Sequence, residues 1–498
     1  MKSYVIIGNG VAAAGCIEGI RSVDKDTKIT VISAENHPVY CRPLISYYLE
    51  NKTTLDKMSY RDADFYEKNK CDVIYGKQAV KIDKDGKSVT LDDATNIKYD
   101  SLCIASGSSP FIPSFAGLET VQNKFSFMTI DDTLALEKAI TKESKVLIIG
   151  AGLIGLKCAE GILEKVAKIT VCDLSDRILS SILDDECAAI MQKHLEEHGI
   201  KFMLGDTAES FEINTAKMKS GASVDFDVLV LAVGVRANTN IFKDAGGDVN
   251  RGIIINDKMQ TNIDDIYAAG DAVQVRHSVT GQDVLLSLAG PANKQGRIAA
   301  DNICGGDSRY LGAQGSSVIK VFDLTAAVTG INETVARRAG LNVDTVILSP
   351  MSHAGYYPGG KVMTMKVVFE KDTYRLLGAQ IVGYEGVDKR IDVLATAIHA
   401  GLKATQLKDL DLAYAPPYSS AKDPVNMAGF MIDNIAKSVL KQWHLEDEAK
   451  LPRDGSVTLL AEYAVGDMLV QQIVCLNLDR ETGRVLDGPA LFTDSARA

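Results

Sequence analysis

The stretch YVIIGNGVAA, residues 4–13, determines the fold expected at the start of this chain. Its four leading apolar residues predict a short buried parallel strand that runs directly into a glycine-rich turn. Gly8 permits the tight strand-to-helix turn, Gly10 lets the backbone approach a pyrophosphate, and Ala13 lets the helix pack close to the strand. The N-terminus of that helix offers unpaired N–H groups to phosphate. The stretch therefore predicts a nucleotide site.

The second predicted strand, residues 28–33, supports this interpretation. It is followed by Glu35, whose carboxylate is well placed to accept hydrogen bonds from a ribose diol. A glycine turn in an unrelated α/β protein is the alternative. That alternative does not explain why strand, turn, helix, strand and acid occur in this order.

Two later segments are expected to complete this site. The loop after Glu35 carries Arg42 and Pro43, and we expect Arg42 to pair with phosphate. The stretch YDSLCIASGSSP, residues 99–110, is predicted to be a strand that ends in a turn of small residues at Ser106 and Gly107. Such a turn also lets the chain leave one domain and enter another.

A second fingerprint starts at the strand predicted over residues 145–149. The glycines that follow have GxGxxG spacing: Gly150, Gly152 and Gly155. The next predicted strand, residues 168–172, ends at Asp173, and no basic residue follows before Arg177. An acid at this position favours a free 2′-hydroxyl, so we expect NADH in preference to NADPH. The alternative is that Asp173 only caps the strand.

Length, charge and cysteine usage limit the remaining possibilities. A chain of 498 residues is too long for one core, and about three domains are expected. The net charge of -11 disfavours nucleic acid and anionic membranes as partners. No apolar run approaches the roughly 20 residues of a membrane span, and no signal peptide precedes the first strand, so a cytoplasmic location is expected. Nine cysteines occur without a CxxC pair, so we predict no metal or cluster site.

The stretch TNIDDIYAAGDA, residues 261–272, resembles the second flavin motif of the pyridine nucleotide-disulfide oxidoreductases, with Gly270 and Asp271 as its Gly-Asp pair. The resemblance implies FAD on the first fingerprint and NAD(P)H on the second. It implies an α/β fold with two Rossmann-like dinucleotide-binding domains and an α+β C-terminal dimerisation domain, the NAD domain being inserted in the FAD domain. The expected boundaries are 1–112 with 245–320 for FAD, 113–244 for NAD(P)H, 321–440 for dimerisation and 441–498 for a short appendage.

Later motifs narrow the resemblance to the class III branch that contains coenzyme A-disulfide reductases and NADH oxidases. The motifs are LAGPANKQGR at 288–297, which contains Ala292, KVFDL at 320–324, TGINE at 329–333, HAGYYPGG at 353–360 and YAPPYSSAKDPVNMAGF at 414–430. In that branch Ala292 would contact the cofactor, and the C-terminal domain would form a homodimer. Tyr356 or Tyr357, together with Tyr418, would then reach the partner's active site; the alternative is that these tyrosines only pack in the dimer. His353 is expected to be structural.

The chain departs from the branch at its redox cysteine. The branch motif resembles SFxxCGxPYY, and its cysteine falls on Pro43 here, while Cys41 lies two residues earlier. Two residues of an ordered loop displace a sulfur by roughly 6 Å, which separates flavin contact from none. The loop YxRPLIS instead resembles that of the rubredoxin, ferredoxin and nitrite reductase flavoproteins, which use flavin without a redox cysteine.

A second departure concerns the helix of the second fingerprint. Most relatives read IGxE there, and the glutamate pairs with a lysine near the flavin. This chain has Lys157 at the glutamate's position and Tyr47 where the relatives with the YxRPLIS-like loop usually have a lysine. The lysine of the pair would then come from position 157 instead of position 47, and Lys157 would act near the flavin–nicotinamide contact. The alternative is a solvated helix residue.

These residues and the resemblance predict an FAD-dependent NAD(P)H oxidoreductase. Hydride would pass from NADH to FAD, and electrons would leave to an electron-carrier protein, a quinone-like acceptor or dioxygen. One alternative keeps thiol chemistry at Cys41, with coenzyme A disulfide, persulfide or polysulfide as substrate. Another is an FAD-holding redox-sensing or carrier-docking subunit of a larger complex. Cys475 keeps only the C-x4-R spacing of a rhodanese loop, so persulfide chemistry there is not expected.

Overall fold

The structure is a computed structural model that describes residues 2–440, Gln442, His444 and the backbone of five later strands. Those strands are Thr458–Leu460, Tyr463–Val465, Met468–Val470, Val474–Leu478 and Val485–Asp487. Most of the expected appendage, including the side chain of Cys475, lies outside the described residues. The chain divides into two units, Met1–Leu179 with Leu195–Gly315 and Ser180–His194 with Ser316–Ala498.

The first unit contains a five-stranded parallel sheet built around the opening strand. Its strands, in spatial order, are Ile266–Ala268, Ser101–Ile104, Ser3–Ile7, Lys28–Ser33 and Cys71–Tyr75. The central strands are apolar and buried, as expected for a parallel sheet covered on both faces. The strand order reverses beside Ser3–Ile7. Ligands of open α/β sheets bind at the carboxyl ends of strands at such a point.

A second five-stranded parallel sheet repeats this arrangement in the same unit. Its strands, in spatial order, are Lys124–Phe125, Val228–Leu231, Lys145–Ile149, Lys168–Asp173 and Lys201–Leu204. The order reverses beside Lys145–Ile149, so the second fingerprint also lies at a switch point. Ser108–Pro110 and Val235–Ala237 pair antiparallel where the chain leaves the first sheet and returns to it.

Shorter elements complete the first unit. The small antiparallel sheets contain Ala79–Asp83, Ser88–Leu91 and Asn96–Lys98; Ala208–Glu212, Thr215–Met218 and Ser223–Asp225; and Val275–Arg276 with Asp283–Val284. The α-helices are Val11–Val23, Leu44–Leu49, Phe65–Lys68, Ile130–Ala139, Leu153–Ile162, Asn240–Asp244 and Ala289–Ile303. The 3₁₀ helices are Leu55–Met58, Leu118–Thr120, Leu163–Lys165 and Gly270–Ala272. The helix Asp185–Glu197 begins in the second unit and ends in the first.

Two helices of the first unit pack backbone against backbone. A Cβ atom at Gly15 of the helix Val11–Val23 would lie 2.5 Å from the Asn293 carbonyl oxygen. A Cβ atom at Gly296 of the helix Ala289–Ile303 would lie 2.0 Å from the Ala12 carbonyl oxygen. Both distances are shorter than any real contact, so only glycine permits this approach. The contact fixes the first fingerprint against the segment after residue 288.

The second unit is an antiparallel sheet with helices. The sheet order is Ser317–Val321, Leu324–Gly330, Leu376–Gly383, Met363–Glu370 and Val343–Leu348. The helices are Glu333–Arg338, Val387–His399 and Pro424–Ala436, with a 3₁₀ helix at Ala404–Asp409. The core on one sheet face contains residues such as Met365, Leu394 and Ile432. Within the described part of the chain, every helix is too short or too polar to cross a bilayer.

A buried lysine joins distant segments of the second unit. The Nζ atom of Lys366, 2% exposed, lies 2.8 Å from Glu333, 2.9 Å from Glu186 and 3.4 Å from Asp184. Asp184 also accepts hydrogen bonds from Gln380 and from the backbone N–H of Glu333. The network therefore attaches residues 180–194 to the sheet.

Ionisation states follow from this geometry. Burial raises the pKa of Asp184, but the Lys366 ammonium and several hydrogen-bond donors outweigh burial and hold that pKa below its usual range. The pKa of Glu333 is lowered by the same balance of burial against Lys366. Carboxylates with lowered pKa stabilise the folded state above their ordinary pKa, and this contribution is lost as the pH falls towards the folded values.

We predict that Lys366→Met destabilises the second unit by about 3–5 kcal/mol, because it leaves buried carboxylates unpaired. Urea unfolding of the full chain at neutral pH measures this loss. The control Lys371→Met removes a half-exposed lysine 4.0 Å from Asp344 and should cost at most about 1 kcal/mol. The difference between wild type and Lys366→Met should shrink as the pH falls below 4. A variant as stable as the control would show that the cluster adds nothing.

Candidate active site

The first fingerprint turn has one glycine that the fold requires and one that faces open space. Gly8 has φ = 108°, and a Cβ atom there would lie 2.0 Å from the Ala105 carbonyl oxygen. A Cβ atom at Gly10 would have no described heavy atom within 4 Å beyond its chain neighbours. No described side chain caps the helix Val11–Val23, and Ala13 in its first turn is fully buried. The turn therefore leaves backbone N–H groups available to an anion.

A half-buried carboxylate, that of Asp271, lies near this turn. Asp271 belongs to the 3₁₀ helix Gly270–Ala272 rather than to the start of a longer helix, and it accepts a 3.2 Å hydrogen bond from Ser108. Burial raises the pKa of Asp271, although the hydroxyl of Ser108, the charge of Arg42 and the hydroxyl of Ser287 oppose the shift. A carboxylate that is this poorly compensated fits a ligand bearing hydroxyl groups, which would supply the missing donors.

Gly270 brings this carboxylate close to the fingerprint helix. It has φ = 78°, and a Cβ atom there would lie 3.0 Å from the Ala12 Cβ and 3.7 Å from the Ala292 Cβ. The Gly270 N–H donates to the buried Gln295 side chain at 2.7 Å. Ala292 lies in the first turn of the helix Ala289–Ile303, which also has no side-chain cap among the described residues. Two uncapped helix starts thus converge near Asp271.

The acid after the second strand is already engaged by two side chains. Tyr40 Oη donates to Glu35 at 2.6 Å, and Arg42 Nη2 donates to the other carboxylate oxygen at 2.6 Å. Arg42 Nη1 donates to the Met128 carbonyl oxygen at 2.6 Å. The structure thus gives Arg42 protein partners, and its expected pairing with phosphate stays a prediction.

The turn of small residues connects the two parallel sheets. Ser106 Oγ donates to the Asn238 carbonyl oxygen at 2.8 Å, and Asn238 returns two bonds, to the carbonyl oxygens of Ser106 and Gly107. Gly107 has φ = 67° and open space at its Cβ position. The hydroxyl of Ser106 therefore fastens the outgoing strand to the returning one.

The second fingerprint repeats the first, but its helix packs more closely against its own glycine turn. Gly150 has φ = 115°, and a Cβ atom there would lie 2.2 Å from the Ala232 carbonyl oxygen. A Cβ atom at Gly155 would lie 1.9 Å from the Gly150 carbonyl oxygen, whereas Gly152 faces open space. No described side chain caps the helix Leu153–Ile162. The turn has the same available N–H groups as the first.

Asp173 lies at the end of the strand beside this turn. Its two carboxylate oxygens accept the backbone N–H of Ala151 at 2.7 Å and that of Ser175 at 2.8 Å. The carboxylate thus does cap the local backbone, as the alternative predicts. It is half-buried beside the fingerprint turn, so it also remains accessible to a ligand there.

A small cleft lies at the carboxyl end of the second sheet. It is lined by Phe127, Met128, Ile154, Leu231 and Gly234, among others. Ile154 belongs to the first turn of the fingerprint helix, so the cleft continues from the second turn. Its lining residues are apolar or glycine.

Cys41 is in a poor position to form a thiolate. Burial raises the pKa of its thiol, and the nearby Leu44 N–H offsets this only in part. Pro43, at the position where the branch has its cysteine, precedes the short helix Leu44–Leu49. The loop thus provides no sulfur at that position.

Lys157 is part of a buried charge cluster and not a solvated helix residue. Its Nζ atom pairs with Glu160 and lies 3.9 Å from Glu50 and 4.4 Å from the ring centroid of Tyr47. Its side chain is 16% exposed, and those of Glu160 and Glu50 are 3% and 9% exposed. The structure therefore brings positions 47 and 157 together, as the expected exchange of the basic partner requires.

The tyrosines expected to act across a dimer are exposed on the second unit. Tyr418 and Tyr356 are 72% and 75% exposed, Tyr357 is less so, and the hydroxyls of Tyr356 and Tyr414 are hydrogen-bonded. Their two loops are joined by Arg390, which is 1% exposed.

Arg390 donates hydrogen bonds to five residues inside the second unit. Its guanidinium donates to the Ser352 and Tyr418 carbonyl oxygens at 2.9 and 3.2 Å, to the Gly386 carbonyl oxygen, to Ser419 Oγ and to Asp423. His353 beside it is buried and its Nδ1 lies 3.2 Å from the Ala354 carbonyl oxygen, in keeping with a structural role. A buried cation thus fixes the backbone beneath both exposed tyrosine loops.

Two fingerprint turns with uncapped helices, each at the switch point of a parallel sheet, define an α/β protein with two dinucleotide-binding folds. The family model for pyridine nucleotide-disulphide oxidoreductases matches residues 2–296, and the model for the dimerisation domain of these proteins matches residues 316–424. The chain belongs to this family and is an FAD-dependent NAD(P)H oxidoreductase. The predicted fold class and enzyme class are confirmed.

Relatives of known name cover nearly the same length. An NADH oxidase of Methanocaldococcus jannaschii is 33% identical over 85% of this chain and 97% of its own. The reduced CoADR-RHD of Bacillus anthracis has a TM-score of 0.88 and 33% identity, over 91% of this chain and 84% of its own. An NAD-dependent persulfide reductase from A. fulgidus has a TM-score of 0.84 and 34% identity, over 88% and 84% of the two chains.

Several residues at the site have no counterpart among the predicted ones. Tyr40, Ser108 and Met128 bind or lie beside predicted residues, but each comes from a different segment of the chain. Glu160 is on the same helix as Lys157, and its i,i+3 spacing was a usable indication of that ion pair. Arg390 had no local indication, since its partners lie 28 or more residues away apart from Gly386.

Proposed function

We propose that this enzyme oxidises NADH and passes the electrons to an acceptor without using a protein thiol. The observation that carries the proposal is the loop at Cys41, where burial opposes thiolate formation and Pro43 replaces the expected cysteine. The similarity to an NADH oxidase supports an acceptor other than a disulfide. The acceptor would be dioxygen, a quinone-like molecule or an electron-carrier protein.

The first fingerprint fits FAD, and the second fits NADH. Gly10 and the uncapped helix Val11–Val23 would hold the FAD pyrophosphate, Glu35 its ribose, and Asp271 the hydroxyls of its ribityl chain. When bound, FAD supplies acceptance of a hydride from NAD(P)H and release of the electron pair to a second acceptor. Arg42, Pro43, Ser106, Gly107 and Ala292 would contact or support the same cofactor.

The second turn and its cleft would orient the nicotinamide nucleotide. Gly150, Gly152 and Gly155 shape the turn, and Asp173 would accept hydrogen bonds from the adenosine ribose. Lys157 would place its positive charge beside the reacting ring, with Glu160 and Tyr47 holding its ammonium. The chain's own contribution is orientation, charge and exclusion of water.

We also propose a homodimer in which Tyr357 and Tyr418 face the partner's site. The match to a dimerisation-domain model supports the dimer, and the exposure of both tyrosines supports their placement. We propose in addition a division into FAD, NAD(P)H and dimerisation domains at 1–112 with 245–320, 113–244 and 321–440, which is supported by the second parallel sheet lying in the chain between strands of the first. A monomer in sedimentation velocity at micromolar concentration would contradict the dimer.

A second candidate is reduction of coenzyme A disulfide, persulfide or polysulfide through Cys41. The names of the solved relatives from Bacillus anthracis and A. fulgidus favour it. It requires the Cys41 thiol to reach the flavin and to ionise there.

We predict that one NADH per bound FAD bleaches the flavin completely under anaerobic conditions, and that Cys41→Ser does the same. The flavin is the sole two-electron centre in the proposed route, so removing the sulfur should change nothing. Stopped-flow titration at the flavin absorbance band measures the stoichiometry. If wild type consumes a second equivalent and Cys41→Ser does not, the thiol route is correct.

We predict that Lys157→Met slows reduction of the flavin by NADH about 10-fold or more, because a preorganised charge beside the reacting ring is lost. Lys157→Arg should retain most of the rate. Lys157→Met alone leaves the buried Glu160 carboxylate without its lysine partner, which can destabilise the fold. The double variant Lys157→Met/Glu160→Gln removes both charges and so avoids this defect. Lys165→Met, just past the same helix, is the control. An unchanged rate in the double variant would assign Lys157 to structure alone.

We predict that Asp173→Asn lowers the preference for NADH over NADPH by about 10-fold, since a charged hydrogen bond to the ribose is lost and repulsion of a 2′-phosphate is removed. The asparagine oxygen can still accept one backbone N–H. The ratio of kcat/KM for the two nucleotides measures the preference. Asp176→Asn, an exposed acid three residues later, is the control. Equal effects of the two variants would mean that Asp173 only caps the strand.

A further inference from the structure

The Glu35 carboxylate is connected through two side chains to the wall of the cleft at the carboxyl end of the second sheet. This cleft is called the nicotinamide-side cleft below, because the proposed function places NADH there. Tyr40 Oη donates to one oxygen of Glu35 and accepts the Ile130 N–H at 3.3 Å. Arg42 donates to the other oxygen and, through Nη1, to the Met128 carbonyl oxygen. Each side chain therefore holds Glu35 at one end and the backbone of residues 128–130 at the other.

Residues 128–130 are also fixed from the opposite side. Thr129 caps the helix Ile130–Ala139, and the N–H groups of Met128 and Thr129 donate to Asp132 at 3.0 and 3.1 Å. Met128 lines the cleft at the carboxyl end of the second sheet. Its position thus depends on a short segment held between a helix cap and the pair Tyr40 and Arg42.

The carboxylate of Glu35 has acceptor capacity for more than these two donors. An ionised carboxylate accepts about four hydrogen bonds, so ribose hydroxyls can bind Glu35 while Tyr40 and Arg42 remain in place. Burial raises the pKa of the Tyr40 hydroxyl, with Glu35 adding to the shift, so Tyr40 stays protonated and keeps donating. A ligand at Glu35 and a ligand beside Met128 then act on the same chain of bonds.

We propose that Tyr40 and Arg42 are positioning residues that couple the ribose-binding carboxylate of Glu35 to the nicotinamide-side cleft. The inference rests on the proposed placement of FAD and NADH. It adds that occupation of the first site sets the position of Met128 and so the affinity of the second. Because such coupling is reciprocal, a nucleotide in the cleft also strengthens binding at Glu35.

The test uses Tyr40→Phe in the FAD-loaded, full-length protein. Phenylalanine keeps a ring beneath the Arg42 guanidinium, whose carbon lies 5.0 Å from the Tyr40 ring centroid, and loses only the shared hydroxyl. Titration calorimetry with NAD⁺, which cannot reduce the flavin, gives the affinity of the second site without turnover. We expect NAD⁺ to bind about 5-fold more weakly, as for the loss of one or two hydrogen bonds.

A double-variant cycle separates coupling from simple damage. Glu35→Gln, at the proposed FAD site, should also weaken NAD⁺ binding, and the double variant Tyr40→Phe/Glu35→Gln should bind NAD⁺ no more weakly than the weaker-binding single variant. Tyr99→Phe is the control, because its buried hydroxyl has no hydrogen-bond partner among the described residues. If Tyr40→Phe melts at a lower temperature than the control, Arg42→Lys is the second variant, and it should weaken NAD⁺ binding in the same way.

The outcomes distinguish this inference from the proposed function. If Glu35→Gln and Tyr40→Phe weaken FAD binding but leave NAD⁺ affinity at the wild-type value, the coupling is wrong and the placement of FAD stands. Additive effects on NAD⁺ affinity also contradict it. If the wild-type protein binds neither FAD nor NAD⁺, the proposed function itself fails.

Discussion

The close approach of two helices, Val11–Val23 and Ala289–Ile303, is the contact on which the first cofactor site depends. Gly15 and Gly296 lie where the helices touch, and neither has a side chain to keep them apart. A Cβ atom at either position would overlap a backbone oxygen of the other helix. The segments involved are almost 300 residues apart, and a complete second dinucleotide fold lies between them in the chain. Because the contact is made by backbone atoms, it has little tolerance, and the uncapped helix starts and Asp271 are placed with the same precision.

Both fingerprints, each with its strand, turn, helix and following strand, could be predicted from the sequence, because each is encoded locally. A strand, a glycine turn and a helix occupy about twenty consecutive residues, and their glycines have the positive φ angles that the spacing implies at Gly8 and Gly150. The roles of the glycines were less visible. The pattern alone does not show that a Cβ at Gly8 would overlap the carbonyl oxygen of Ala105, just past a neighbouring strand. It also does not show that Gly10 faces open space.

The contacts of the predicted site residues could not be derived in the same way. Glu35 and Arg42 were assigned separately to ribose and phosphate, but the structure joins them and adds Tyr40 and Met128. Lys157 was recognised because it replaces an acid in a known motif, yet its burial with Glu160 and Glu50 depends on the packing of the helix Leu44–Leu49 against Leu153–Ile162. Periodicity describes which face of an element is buried, but not which distant polar group meets it there.

Three buried cations show how this chain uses charge. Lys157, Lys366 and Arg390 are each surrounded by carboxylates or carbonyl oxygens, and each contacts acceptors from at least two segments of the chain. A buried ion pair contributes little net stability compared with an apolar replacement, since desolvation offsets most of the attraction. Its directional hydrogen bonds, however, admit few alternative arrangements. Arg390 illustrates the consequence: its acceptors come from Ser352, from the segment 418–423 and from Gly386 at the start of its own helix. The two exposed tyrosine loops are therefore held in one relation to each other before any partner is present.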